Sequence, residues 1–516
     1  MRSLIVPLCL CLAAAPAVAA GKAPDLAAAT VDCAASEPER VLEGCATIIA
    51  SKKASPQARG AAHLNRAMSL LFSGEHGKAL PDAEAAVRLL KDSPDAYYVR
   101  ASVLRHLAQH GRALADYAHA LALRPNFPDL LNDRALIYIE FKDHAGALAD
   151  LDRAIFLAPR HIIAHQNRAR VLKALGATSK AIEDLDRVLD ERPNDARLLN
   201  TRADFHEDVG ALDKARRDID RAIELEPSEP QHWILSARLY GRQQEKHLAL
   251  DAFDRASALD PASSQPFAGK ALVHWLDHDQ EQALASLGQA LARNPRDRYA
   301  LMLRAEIERE NGRLDEALAD LDAAITHHPG VPAAWLDRGI VLKANGKLTA
   351  AIDSYTQALA LDGGFAAAFY NRGLAHLAAR AFDKAVSDLD RVVDLEPSNG
   401  DALLARGVAH EEGNEPEKAL ADYSRVIELH PDSAPALRNR GFLRFRRKDI
   451  EGACRDLERA LDLDPKHANA LWYRGRCREA RGERSRALAD FEAAVALDPS
   501  LRPYLDKVKT AGTPAP

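Results

Sequence analysis

Residues 366–399 read AAAFYNRGLAHLAARAFDKAVSDLDRVVDLEPSN, and residues 400–433 read GDALLARGVAHEEGNEPEKALADYSRVIELHPDS. Laid one over the other, they share a frame more than a sequence. Arg372 falls on Arg406, Gly373 on Gly407, Ala385 on Ala419, Asp388 on Asp422, Val392 on Val426 and Pro397 on Pro431. The interval is 34 residues, and the proline carries it along the chain at Pro125, Pro159, Pro193, Pro227, Pro261, Pro295, Pro329, Pro465 and Pro499, with Gly363 in the one gap. Taking that proline as position 32, thirteen copies begin at 60, 94, 128 and so on to 468, and fill residues 60–501.

The frame has a physical reading. Position 20 is alanine in all thirteen copies, position 8 is alanine eight times and glycine five, and position 27 is alanine ten times and valine three. Residues this small let two antiparallel helices approach closely at those points. Position 24 (Tyr117, Leu151, Ile219, Phe253, Tyr355, Phe491) and position 4 (Tyr97, Trp233, Phe267, Trp335, Phe369) supply the knobs that fill the gap. Proline at 32 cannot continue a helix and turns the chain into the next copy. One hairpin cannot bury its own apolar face, so the copies must stack.

Small residues at 8, 20 and 27, a large one at 24 and proline at 32 make this chain resemble the tetratricopeptide repeat family over about 85% of its length. Two departures stand out: position 7 is mostly arginine, and position 11 is often His or Arg (His206, His274, His376, His410, Arg444, Arg478). The resemblance implies an all-α fold, a right-handed α-solenoid of stacked antiparallel helical hairpins. It also implies a concave groove lined by positions 2, 5, 6, 9, 12 and 13 of the first helices. In this sequence those positions include Asn132, Gln166, Asn167, Arg170, Lys173 and Asn200, then Arg238, Arg242, Tyr299, Arg309, Lys343, Tyr370 and Asn371. Asn and Arg can hydrogen-bond an extended backbone or a terminal carboxylate, and Tyr can stack on a peptide or a sugar. The partners expected are therefore other proteins or extended peptides.

Position 7 is arginine in eleven copies and position 23 aspartate in ten. The copy at 230 loses both partners, carrying Ser236 and Ala252, while the copy at 332 keeps Arg338 opposite Ser354. Joint loss points to charges that satisfy each other, within a repeat or across the seam to the next. The alternative is a row of arginines lining a polyanion groove.

The N-terminus reads as a secretory leader over residues 1–20: Arg2, an apolar stretch from Leu4 to Val18, then small residues up to Ala20. This predicts export to a bacterial periplasm, with no stable membrane insertion. Extending the frame back to 26–59 puts Cys33 at position 8 and Cys45 at position 20, where two helices touch. A disulfide stapling a degenerate capping repeat over residues 21–59 is expected. Cys454 and Cys477 fall on facing helices of consecutive repeats, either bridged across the seam or reduced in the core. Residues 502–509 read as a short solvating helix that closes the array, and residues 510–516 as a disordered tail.

Chemistry is scarce. There is no nucleophile elbow, no phosphate-binding glycine loop and no metal-protease motif, and the repeats leave no room for a separate catalytic domain. A non-enzymatic scaffold without cofactor or metal is the expectation. A net charge of −6 argues against general nucleic-acid binding. One region differs: residues 434–486 hold fifteen Lys and Arg against eight Asp and Glu. Arg438, Arg444, Arg446, Arg447, Arg476, Arg478 and Arg481 are thus candidates for a basic end that meets an acidic protein or an anionic polysaccharide. An adaptor that contacts the glycan of secretion or wall machinery is the alternative to a protein scaffold.

Overall fold

The computed structural model describes residues 26–510, which form helix after helix with no strand among the described residues. The expected leader over residues 1–20 lies outside them, as do residues 511–516 of the expected tail. Each full repeat places its first helix at positions 1–13 and its second at 17–30, as in Pro94–His106 with His110–Leu123 and Ala366–Ala378 with Phe382–Leu395. Two repeats vary this. The first helix of repeat 60–93 starts a turn early, at Pro56, and that of repeat 264–297 starts at Gln265.

Helix starts are set locally. Pro94, Pro128, Pro230 and Pro332 open first helices at the one place where a missing N–H costs nothing. Elsewhere an acceptor side chain precedes the helix: Asp195, Asp297, Asn399 and Ser433 each take the N–H three residues on. The first helix always stops the same way. Position 15 adopts a left-handed backbone in every repeat, with φ from 55° at Ala108 to 80° at Gly482. Only six of these residues are glycine; Lys142, Gln244, His278, Arg380, Asn414 and Lys448 hold the same conformation.

Packing follows the small-residue frame. Every position-20 alanine is at most 1% exposed. A Cβ added at Gly407 would fall 2.6 Å from the Tyr423 ring, and one at Gly475 would fall 2.5 Å from Phe491, so glycine there makes room for the knob at position 24. A ring N–H at position 4 donates to the proline carbonyl of the preceding repeat: Trp233 to Pro227 at 2.8 Å, Trp335 to Pro329 at 3.2 Å, and His165 Nε2 to Pro159 at 3.0 Å. These bonds satisfy the carbonyl of the turn that follows each second helix.

The array divides into two compact bodies, one ending at Leu259 and one beginning at Asp260. The first holds six repeats behind a capping hairpin of two short helices, Leu26–Cys33 and Pro38–Ala50. Cys33 and Cys45 face each other across this hairpin with their sulfurs at bonding distance and Cα atoms 4.6 Å apart. Asn65 Nδ2 donates to the Cys33 carbonyl at 3.2 Å, which ties the cap to repeat 60–93. The second body holds seven repeats, a 3-10 turn (Pro499–Leu501) and a closing helix, Arg502–Thr510. That helix is more than a solvating end. Leu505 packs against Phe491 and Val495, and Thr510, expected to begin the tail, is its last residue. No described helix is long and apolar enough to cross a membrane.

The second cysteine pair is unbridged. Cys454 and Cys477 are both 0% exposed and share a core with Leu457, Leu461 and Leu471. Burial pushes both thiols up from their ordinary value. Of the two outcomes expected for this pair, the structure holds the reduced one.

Candidate functional site

The position-7 arginines belong to the scaffold. In ten repeats the guanidinium grips the position-23 aspartate of its own repeat through two parallel bonds, at 2.7 and 2.7 Å for Arg100–Asp116 and 2.8 and 2.7 Å for Arg372–Asp388. The remaining guanidinium nitrogen often reaches position 25 of the preceding repeat: Asp152 from Arg168, Asp186 from Arg202 and Asp390 from Arg406, each at 2.7 Å. Both arrangements the sequence allowed are therefore present, the bond within the repeat being the constant one. Where aspartate is missing, Arg338 takes Ser354 Oγ at 2.8 Å and Asp322 at 2.7 Å. Histidine at position 4 adds a third partner twice, His63 on Asp82 and His165 on Asp184, both at 2.7 Å. Burial pushes these two carboxyls up, but the bonds from arginine and histidine outweigh it and hold both below the ordinary carboxylate value.

What remains for binding is the outer face of the first helices. In the N-terminal body, two of the expected groove residues are not available. Asn132 and Asn167 are buried and bond each other, Asn167 Nδ2 donating to Asn132 Oδ1 at 2.8 Å. Asn132 in turn donates to Asp133 at 3.3 Å, and the Tyr98 hydroxyl donates to the same carboxylate at 2.9 Å. Burial raises the Asp133 carboxyl despite the nearby Arg105. Asparagine at these positions closes a network under the surface instead of presenting an amide to a ligand. Gln166 and Asn200 are half-buried, Asn200 Oδ1 lying 3.1 Å from His232 Nδ1, and Arg170 is exposed.

Lys173, Arg238 and Arg242 do reach the face, but in company. Lys173 bonds Asp204 and lies 3.0 Å from Asp208. Arg238 bonds Glu207 and Asp204, the latter at 3.0 Å, and Arg242 donates to the Glu207 carbonyl at 3.2 Å. Charge thus alternates along the first helices of three successive repeats: base on Ile162–Ala174, acid on Ala196–Asp208, base on Pro230–Arg242. Burial alone would push Asp204 up, yet Lys173 and Arg238 bring its carboxyl below the usual value.

In the C-terminal body, Tyr299 is exposed, and Arg309 is clamped by Glu306 at 2.6 and 2.8 Å. Asn371 Nδ2 donates to the Ala367 carbonyl at 2.9 Å, and burial raises the half-buried Tyr370 phenol. Lys343 is half-buried and makes no ion pair among the described residues. Asp337, which sequence reasoning passed over, has its carboxyl pushed up to about 6 by burial and by Glu306, against the pull of Arg309.

Each arginine of the expected basic end has an acidic partner. Arg444 meets Asp456 at 2.8 Å, Arg446 meets Glu411 at 3.1 Å, Arg476 meets Glu479 at 3.2 Å and Arg478 meets Asp490 at 2.9 Å. Arg447 pairs with Glu417, Arg481 with Glu451, and Arg438 lies 4.0 Å from Asp464. Four of these acids, Glu451, Asp456, Asp464 and Glu479, lie inside residues 434–486, while Glu411 and Glu417 belong to the preceding repeat and Asp490 follows the window. Acids at positions 12 and 18 of the preceding repeat, Glu411, Glu417 and Glu451, were the missing signal. They are found by reading the face across repeats, one register at a time. No cluster of three or more His, Cys, Asp or Glu that could hold a metal occurs among the described residues.

Models of the tetratricopeptide repeat match residues 64–126, 135–206, 200–264, 269–332, 307–368, 336–391, 370–434 and 407–472. No curated protein sequence matches the chain. Among solved structures it is similar to yeast Tom70 at 15% identity, over 76% of this chain and 97% of that one, with a TM-score of 0.42. It is similar to Pseudomonas aeruginosa pilF at 19% identity (40% and 94% covered, TM-score 0.37). YrrB, described as a TPR protein with an unusual peptide-binding site, is 22% identical (37% and 97% covered, TM-score 0.33). With its frame, its helices and its family matches all in one register, the chain belongs to the tetratricopeptide repeat family.

Proposed function

We propose that this protein is a non-catalytic scaffold of the bacterial cell envelope that holds other proteins, or extended peptide segments of them, against the exposed face of its first helices. Membership of the repeat family supports a protein-binding role. One observation carries the reading further. The array spends its repeated arginines and aspartates on itself, while other positions of the same helices, exposed or half-buried, vary from repeat to repeat: Lys173, Arg238 and Arg242 in one body, Tyr299, Lys343 and Tyr370 in the other. A constant scaffold with a variable face is what selective recognition requires. The leader at residues 1–20 is the basis for assigning export to the periplasm, where Cys33–Cys45 would be held oxidised.

The decisive experiment is in-cell crosslinking followed by mass spectrometry, paired with a pull-down of envelope extract beside a glycan array. The reading expects specific envelope proteins crosslinked at Lys173 and Lys343. Glycans alone, with no protein captured, would replace it with the polysaccharide adaptor.

A further inference from the structure

Within each body, the second helix of one repeat lies against the first helix of the next, and position 21 on one side meets position 10 on the other. Leu114 and Ile137 share a core in this way, as do Leu148 and Val171, Leu318 and Val341, and Leu420 and Leu443. Of the twelve successive pairs of repeats, ten carry two apolar residues at these positions and one carries Arg216 and Leu239. The last carries Cys454 and Cys477. Packing needs no sulfur at this point, because aliphatic pairs fill it elsewhere. Two cysteines standing together at one contact therefore ask for a chemical reason.

The two thiols are placed to react with each other. They project from Ile450–Leu463 and Ala468–Ala480 into one core, and each is a hydrogen-bond partner of the other. Burial raises both, Cys477 further than Cys454, while the nearby Arg481 guanidinium favours either thiolate. Both sulfurs are shut off from any oxidant while the seam is closed, since reaction needs an accessible thiolate. This seam is also the one that opens most readily from the end of the array. Beyond it lie only repeat 468–501, the 3-10 turn and the closing helix. Their departure uncovers the sulfurs and leaves the preceding repeats stacked.

We infer that Cys454 and Cys477 are a thiol–disulfide exchange site, whose bond, formed when the last repeat opens, locks that repeat onto the array. The oxidant is a disulfide, either a small molecule or a thiol oxidase protein. The Cys454 thiolate attacks one oxidant sulfur, a mixed disulfide forms, and the other oxidant sulfur leaves as a thiolate. The Cys477 thiolate then attacks Cys454 Sγ, closing the internal bond and expelling the second oxidant sulfur. Two electrons pass to the oxidant, and the protons lost by the two cysteines end on its two thiols. The new bond would tie two repeats together, where Cys33–Cys45 staples a single hairpin. The site is independent of the proposed binding face.

The test incubates the full chain with oxidised glutathione, in native buffer and in urea below the global unfolding transition. Thiols are followed by alkylation and mass spectrometry. Native protein should react slowly, and the low urea should speed reaction about tenfold while the helical circular dichroism persists. The product should be one Cys454–Cys477 bond with no glutathione retained. Hydrogen exchange in residues 468–510 should then slow about tenfold and recover on reduction. Cys454→Ser should instead keep glutathione on Cys477. The double variant Cys454→Leu with Cys477→Val repeats the pairing of Leu148 and Val171, so it should fold alike and ignore the oxidant. Two stable glutathione adducts on the wild type would overturn the inference. So would oxidation that begins only with global unfolding, or an internal bond that leaves exchange in residues 468–510 unchanged or faster.

Discussion

Asp337 stands half-buried beside Glu306, with a carboxyl that titrates near 6 instead of the ordinary value. Its folded-state value is raised, so the native protein keeps a proton that the unfolded chain sheds from about pH 4 upward. Stability from this group is greatest at low pH and falls as pH rises through that window, with the full penalty present above 6. Asp337→Asn should therefore raise the melting temperature by a few degrees at pH 7.5 and change it little at pH 4. An equal gain at both pH values would show that the cost of ionising Asp337, set by burial and by Glu306, is not the cause. The arginine ladder makes the opposite demand. Arg372→Ala strands Asp388, which is 5% exposed, and should cost about 3 kcal/mol in urea unfolding. Arg372→Lys should recover little, because an ammonium cannot make the paired bond. Arg338→Ala leaves only Ser354 and the exposed Asp322 behind, and should cost less than about 1 kcal/mol. The ladder was readable from residue types alone, since Arg and Asp vanish together in the copy at 230. The face was not. Asn132 and Arg170 look alike as polar residues at groove positions, and only packing buries the first and exposes the second.

Among elements, the turn that closes each first helix is the least legible feature. A left-handed residue at position 15 is plain in Gly176 or Gly312, but Lys142 and Arg380 carry no such mark, and the repeat geometry imposes the conformation on them. The helices themselves were legible because alanine at 20 and the small residue at 8 set both their contact and their spacing. The same geometry predicts a gain: Arg380→Gly should stabilise the C-terminal body by about 0.5–1 kcal/mol, read as a higher urea midpoint at unchanged slope. A loss would mean that the Arg380 guanidinium, 5.7 Å from the Phe382 ring, contributes more than its backbone costs. The cap departs most from its expected form. Its helices, of 8 and 13 residues, fit the cysteines to the predicted contact while abandoning the repeat's helix lengths. A terminal hairpin has a neighbour on one side only and is free of the constraint that fixes the others.

A molecule built from nearest-neighbour contacts responds locally. Cys33→Ser should cost about 3 kcal/mol where it acts, and hydrogen exchange should rise through the cap and repeat 60–93, then fade within the next repeats. Uniform loss of protection as far as residue 259 would show that the N-terminal body unfolds as one block. The ladder has a consequence for how such an array changes length over generations. In ten copies the guanidinium holds the carboxylate of its own 34 residues, and what it reaches in the previous copy is an exposed side chain such as Asp152 or Thr356. Excision or duplication of one whole copy therefore splits none of the ten buried Arg–Asp pairs of the ladder. Insertions and losses in register should be tolerated by the lineage, while a break falling between positions 7 and 23 should be purged.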